Sequence, residues 1–269
     1  MLVTMKEMAG LVKKGKNAVA AFHALNLEQI QGILEAALEE RSPVVIALDE
    51  PAAMYAGLGA FEAMVRELAE DVPVPVATIL DHVHDPVLVS KAFVNYYSGV
   101  TVDPREKSPE SVGPWLASIQ DLCAKHSAFF EVVISIRDIS LEQALESARK
   151  ISELARPDSL CISLGGEHKK GPEPAFFDFL RLVGAQTGTS VALSGAGAWP
   201  DADLQSAVAA GAWKLSVGTR INLAFTRGLR SFMDANPDRI HPRSYLASAR
   251  DALSAEVRHC IQVMNLNAI

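Results

Sequence analysis

Short apolar runs of β type recur eight times along this chain, near 18–22, 44–48, 75–80, 99–103, 129–135, 159–164, 190–194 and 213–217. Between them stand longer stretches of helical periodicity: Leu27 to Glu40, Gly59 to Leu68, Pro86 to Val94, Pro109 to Lys125, Leu141 to Leu154, Ala175 to Thr187 and Asp201 to Ala210. A strand followed each time by its own helix is the pattern of a parallel sheet covered by helices. Asn26 before Leu27-Glu28-Gln29, and Pro200 before Asp201-Ala202-Asp203, add helix-start signals. Eight such units in 269 residues predict an α/β fold, a (β/α)₈ TIM barrel, with a doubly wound sheet as the second choice. No linker, low-complexity tract or charge block divides the chain, so one domain over residues 1–269 is expected.

Composition removes several classes of function. A net charge of −7 gives no electrostatic reason to expect nucleic acid or an anionic membrane as partner, although Lys169 and Lys170 could form a local anion patch. Cys123, Cys161 and Cys260 are too few and too scattered for a disulfide framework or a thiolate cluster, which suits a reducing cytoplasm. Met1 to Val12 has a short helical pattern and no apolar export core, and no later run reaches the ~18 apolar residues of a membrane span.

In a barrel of this kind the loops after the carboxyl ends of the strands build the site, so strand-end residues are the ones to weigh. Ile79-Leu80-Asp81-His82-Val83-His84-Asp85 is the densest, with two imidazoles and two carboxylates closing an apolar run. His23, Asp49, Asp103, Glu131 and His168 stand at or near the ends of other runs. Asp49 could equally cap the loop before Pro51, and Asp103 could pin the loop before Pro104. Glu131, if it faces the interior, needs a cationic or metal partner to stay charged. His84 is two residues from His82, so on a continuing strand the two would share a face. Ser194-Gly195-Ala196-Gly197-Ala198 and Ser216-Val217-Gly218-Thr219 follow the seventh and eighth runs, where backbone N–H groups often hold phosphate.

Several of these segments carry a resemblance. Met1-Leu2-Val3-Thr4-Met5-Lys6-Glu7-Met8, Ala18-Val19-Ala20-Ala21-Phe22 with Asn26-Leu27-Glu28, Leu80-Asp81-His82, Trp199-Pro200-Asp201, Lys214 with Val217-Gly218-Thr219, and Pro242-Arg243-Ser244-Tyr245-Leu246 are collinear with the class II, metal-dependent fructose-bisphosphate and tagatose-bisphosphate aldolases. The chain resembles that family over nearly its whole length. The resemblance implies reversible aldol cleavage of a phosphorylated or other anionic ketose, in a homo-oligomer, dimer or tetramer. In that family a zinc ion held by three histidines polarises the donor carbonyl, and an aspartate before the first of them exchanges a proton with the aldehyde-side oxygen. By resemblance Asp81 takes the acid/base role, His82 and His168 are ligands, and Gly195, Gly197, Ser216, Gly218, Thr219 and Lys169 surround the anionic end of the substrate.

The third ligand position falls at Ser194, and a serine hydroxyl is a poor zinc ligand. Around it His23 replaces a usual Asn, Asp49 a usual Ser, Val133 a second Glu, Ser216 a usual Asn, Lys169 a Gly and Gly197 a Ser, while Ser135-Ile136-Arg137-Asp138 does not match the family's acidic loop. Two expectations follow. Either the site is rebuilt, with His23, His84 or Asp49 completing a shell for Zn²⁺, Mn²⁺ or another divalent ion, or the chain is an inactive paralogue that binds a sugar phosphate. The altered loops also leave room for a sulfonate or carboxylate in place of phosphate.

Overall fold

The computed structural model describes residues 1–12, 15–105, 107–165 and 171–265. A short helix α1 (Met5–Leu11) opens the chain, followed by β1 (Val19–His23), α2 (Leu27–Glu39), β2 (Val44–Asp49), α3 (Glu50–Ala56), α4 (Leu58–Glu70) and β3 (Val76–Val83). Then come α5 (Pro86–Val94), β4 (Gly99–Val102), α6 (Pro109–Lys125), β5 (Phe129–Ser135), α7 (Leu141–Ala155), β6 (Ser159–Ser163), α8 (Pro174–Thr187), β7 (Ser190–Ser194), α9 (Asp201–Ala209), β8 (Ala212–Val217), α10 (Thr219–Ala235) and α11 (Pro242–Met264). The eight strands are parallel and close on themselves in sequence order, so the expected TIM barrel is what forms. Among the described residues no helix is long and apolar enough to cross a membrane.

Strand alternation divides the apolar side chains into two cores. Ala20, Phe22, Val44, Ile46 and Leu48 face the helices and join the larger cluster, whereas Val19, Ala21, Val45, Ala47, Ala77, Ile79, Val133, Cys161 and Ala192 fill the barrel. Met5 and Met8 of α1, both fully buried, close the amino-terminal end of that interior, each side chain contributing roughly 1.5–3 kcal/mol by burial. The interior rows continue upward into polar residues. Val19 and Ala21 lead to His23, Val45 and Ala47 to Asp49, Ala77 and Ile79 to Asp81, and Ala192 to Ser194. The floor of the open end is therefore set by strand period alone.

The helices begin where side chains can meet their free N–H groups. Asn26 accepts from the Gln29 N–H at 2.9 Å, and Ser140 forms a reciprocal capping box with Gln143. The carboxyl-terminal segment is one helix, α11, whose buried Ala249, Leu253, Val257, Cys260 and Met264 recur three or four residues apart and pack on α2 and α10. From Val257 to Asn265 this segment lies on its own barrel, and Ala18 N–H donates to the Met264 carbonyl at 3.2 Å.

Candidate active site at the carboxyl end of the barrel

Strand β3 supplies the centre. Its ladder with β4 shifts register between Leu80 and Val83, and His82 sits at φ +50° in the left-handed region. On a regular strand Asp81 and His82 would face opposite sides, but a bulge with one left-handed residue re-aims the side chain. The outcome is that His82 Nδ1 lies 3.1 Å from Oδ2 of its own sequence neighbour Asp81.

Asp81 is fully buried, and its Oδ2 is shared by two imidazoles, since His23 Nε2 approaches at 2.7 Å. The other oxygen, Oδ1, has no hydrogen-bond partner. Burial alone would raise the carboxyl pKa; the charge of His82 and the hydrogen bonds from His23 and His82 outweigh it and hold Asp81 well below the usual carboxylate range. Burial likewise pushes the His82 imidazole down, and the charge and hydrogen bond of Asp81 overcome it and lift the net value. On its far side, His82 Nε2 is 3.3 Å from Ser194 Oγ at the end of β7.

A cavity of about 590 Å³ opens above these groups, walled by His23, Asp49, His82 and His84 on one side and Ser194, Gly195, Ser216, Gly218 and Thr219 on the other. Asp81 lies beneath this wall. Ser216 Oγ is buried without a partner, and Gly218 gives His23 its room, because a Cβ there would stand 3.1 Å from His23 Nδ1. Gly197 faces an adjoining cavity of about 600 Å³ with Trp199 and Arg220, which shares Thr219 with the first.

Three strand-end groups have local duties. Asp49 accepts from the Ala52 N–H at 2.8 Å and caps α3. The backbone N–H of His84 donates to Glu50 Oε2 at 2.7 Å, and its Nδ1 lies 3.4 Å from the same oxygen. Asp103 is buried off the cavity wall, accepting from Arg105 Nε at 2.6 Å, so it pins the loop after β4. Glu131 does face the barrel interior and meets the cation it needs, Lys214, at 2.5 Å. Glu50, Ser163 and Asn222 were not singled out in the sequence. Ser163 follows Cys161 on the interior row, and Asn222 stands one helical turn after Thr219.

His168 and Lys169 lie outside the described residues. Among the described residues no group of three or more His, Cys, Asp or Glu side chains is placed to hold a metal ion. Beside His82 Nε2 stands the hydroxyl of Ser194, and His23 and Asp49 are occupied by Asp81 and by the cap of α3. The described donors therefore do not fit a three-histidine zinc centre.

Comparison with known proteins agrees with the geometry on ancestry. The family described as fructose-bisphosphate aldolase class-II matches residues 3–268. A probable fructose-bisphosphate aldolase of Bacillus subtilis (strain 168) is 31% identical, covering 95% of each chain. A sulfofructosephosphate aldolase of Alkalicoccus urumqiensis is 28% identical over 97% of this chain and 96% of its own. Among solved structures, the YdjI aldolase of Escherichia coli K12 superposes with a TM-score of 0.82 at 20% identity, covering 100% of this chain and 99% of that one. With a closed eight-stranded barrel, an Asp–His pair at the end of β3 and a match from residue 3 to residue 268, this chain belongs to the class II fructose-bisphosphate aldolase family.

Proposed function

We propose that the chain catalyses reversible aldol cleavage of a phosphorylated or otherwise anionic ketose, with the Asp81 carboxylate and its two imidazoles as the proton-handling unit. The observation that carries this reading is the buried Asp81 carboxylate shared between His23 and His82 under a cavity, in a chain of this family. Cleavage needs a base to take the proton from the hydroxyl next to the breaking bond. The oxygen's electron pair then becomes the aldehyde carbonyl, and the carbon–carbon pair passes to the ketone side as an enediolate. Asp81 is out of contact with solvent, so the proton travels through His23, which lies on the cavity wall with Nε2 on the carboxylate. The charge that grows on the ketone oxygen meets the imidazole of His82, whose affinity for a proton is raised by Asp81.

The anionic end of the substrate is assigned to Gly195, Gly197, Ser216, Gly218 and Thr219. Helix α10 starts at Thr219 with no side chain capping its free N–H groups, which favours an anion there. The named substrates of the relatives, a fructose bisphosphate and a sulfofructose phosphate, set the class to test. Zinc or manganese is the cofactor expected of the family, and a homo-oligomer its assembly; among the described residues the donors do not assemble a metal's ligands.

The test is a coupled assay of fructose 1,6-bisphosphate, tagatose 1,6-bisphosphate and sulfofructose 1-phosphate with the purified chain, with and without chelator, alongside Asp81→Ala. Cleavage of one of them, falling by roughly 10²–10⁴-fold in the variant, is expected. Failure on every ketose, or full turnover by Asp81→Ala, would overturn the reading.

A further inference from the structure

We infer that Asn222 is a specificity-determining residue of this site: its amide N–H donates to a phosphate oxygen of the ketose, and Gln29, which touches no substrate, is the positioning residue that turns this donor to the cavity. The inference takes its substrate class from the aldol reading. Asn222 lines the cavity of about 590 Å³, whereas Gln29 is buried behind that wall in the first turn of α2. The two side chains meet where Gln29 Nε2 donates to Asn222 Oδ1 at 2.8 Å.

The two ends of an amide are alike in shape and opposite in polarity, so the end of Asn222 that faces a ligand is set by the bonds around it. Those bonds start from a group with no choice. The backbone N–H of Leu25 can only donate, and it donates to Gln29 Oε1 at 2.9 Å. Gln29 Nε2 is then the end that meets Asn222, and a donor there demands the carbonyl oxygen of Asn222. The backbone of Gln29 is held as well, its N–H donating to Asn26 Oδ1 at 2.9 Å. With Oδ1 engaged, the free end of Asn222 is Nδ2, which has no hydrogen-bond partner among the described residues, on an exposed residue of the cavity wall.

The group that Nδ2 meets follows from the place of Asn222 on α10. It stands three residues after Thr219 and so on the same face, and helical side chains lean toward the amino terminus of their helix. That terminus has no side-chain cap and is where the anionic end of the substrate is assigned. Arg220, the cation next to Thr219, is taken up by Asp201 and Glu256 and does not line this cavity. Nδ2 carries protons and offers no lone pair, so a phosphate oxygen suits it and a substrate donor does not.

The probes are the hexitol phosphates made by reducing the ketone of fructose 1,6-bisphosphate, tagatose 1,6-bisphosphate and sulfofructose 1-phosphate; with no carbonyl to take the carbon–carbon pair, they are not cleaved. Their dissociation constants would be measured by calorimetry at pH 8 on the full chain, Asn222→Asp, Asn222→Ala, Gln29→Glu and the double variant Asn222→Ala with Gln29→Glu. Asn222→Asp keeps the bond from Gln29 but turns an anionic acceptor to the ligand, so affinity is expected to fall by roughly 10–100-fold with little change in the melting temperature. Gln29→Glu keeps the bond from Leu25 but has no proton for Asn222, which must turn Nδ2 to the new carboxylate and its oxygen to the cavity. A loss of roughly 10-fold is expected although residue 29 touches no ligand, and none of it in the Asn222→Ala background. Equal affinity in Asn222→Asp and the parent, the same loss from Gln29→Glu with and without Asn222, or a parent that binds none of the probes would overturn the inference. A parent that binds a probe through Asn222 but cleaves no ketose would overturn the aldol reading and leave the phosphate contact standing.

Discussion

Lys214 reaches Glu131 across the interior of the barrel at 2.5 Å, and neither side chain has any exposure. The same Glu131 oxygen also accepts from Thr101 Oγ1 at 3.0 Å, whereas its Oε2 is unpartnered. Burial works against the charge on Lys214, but Glu131, and then Asp81, outweigh it and raise its pKa. Removing the cation alone strands a buried carboxylate. Lys214→Met is therefore expected to cost about 3–5 kcal/mol in urea denaturation, and Lys214→Met with Glu131→Leu to recover most of it, because a well-packed apolar pair needs no desolvation of charge. A double variant no more stable than the single one would show that the pair gains more from its mutual attraction than this.

His23 couples the carboxylate to the cavity, and its place depends on the absence of a side chain at Gly218. Gly218→Ala puts a methyl 3.1 Å from His23 Nδ1, so the ring must yield and the contact of Nε2 with Asp81 lengthens. Ketose-cleaving turnover is expected to fall by about 10²-fold in His23→Asn and by less in Gly218→Ala, with thermal melts little changed. Equal turnover in His23→Asn and the parent would remove His23 from the proton path.

The legibility of the chain follows from where alternation holds and where it breaks. Seven strands coincide almost to the residue with apolar runs, because parallel strands buried on both faces are continuous apolar runs between helical stretches. β3 was expected to end at Leu80, and it runs on to Val83 through the bulge, since nothing in Asp81-His82-Val83 announces a left-handed histidine. The Ser194–His82 contact was hidden for that reason, being made by the far nitrogen of a re-aimed ring across 112 residues of sequence. Asp49 was more readable: Asp49-Glu50-Pro51 is a helix start, and the cap duty weighed for Asp49 is the one it performs. Helix α10 carries little apolar periodicity because it is mostly exposed, with Ile221 its only buried residue.

At the carboxyl side of the barrel wall, Asp201 receives Arg220 at 3.0 Å and His259 at 2.8 Å, joining α9 to α10 and α11. Partial burial raises its carboxyl pKa, while the hydrogen bond and charge of Arg220 and the charge of His259 prevail and leave it below 3.8. A depressed folded pKa means that the unfolded chain binds the proton first. This contribution to stability is present above the unfolded value and is lost as pH falls below about 4 through the lower folded value. Asp201→Asn should thus lower the melting temperature at pH 6 and leave it nearly unchanged at pH 3. An equal loss at both values would assign the effect to packing.

Ser194 also makes the metal question answerable by one added side chain. Its hydroxyl faces the nitrogen of His82 that points away from Asp81, and the resemblance to the family assigns the third histidine ligand to this position. Neutral hydroxyls bind zinc weakly, whereas an imidazole is among its preferred donors, and structural or catalytic zinc needs at least three protein ligands. Ser194→His returns an imidazole to the end of β7 without moving the strand, since the residue already sits on the inward row after Ala192. After loading with zinc and exhaustive dialysis, the variant is expected to retain about one equivalent by elemental analysis and the parent well below that. A full equivalent held by the parent would mean that the chain completes its metal shell without the residue at 194. Serine would then have been tolerated there because the site had already found another ligand, and the divalent cation would enter the aldol reading as a working part.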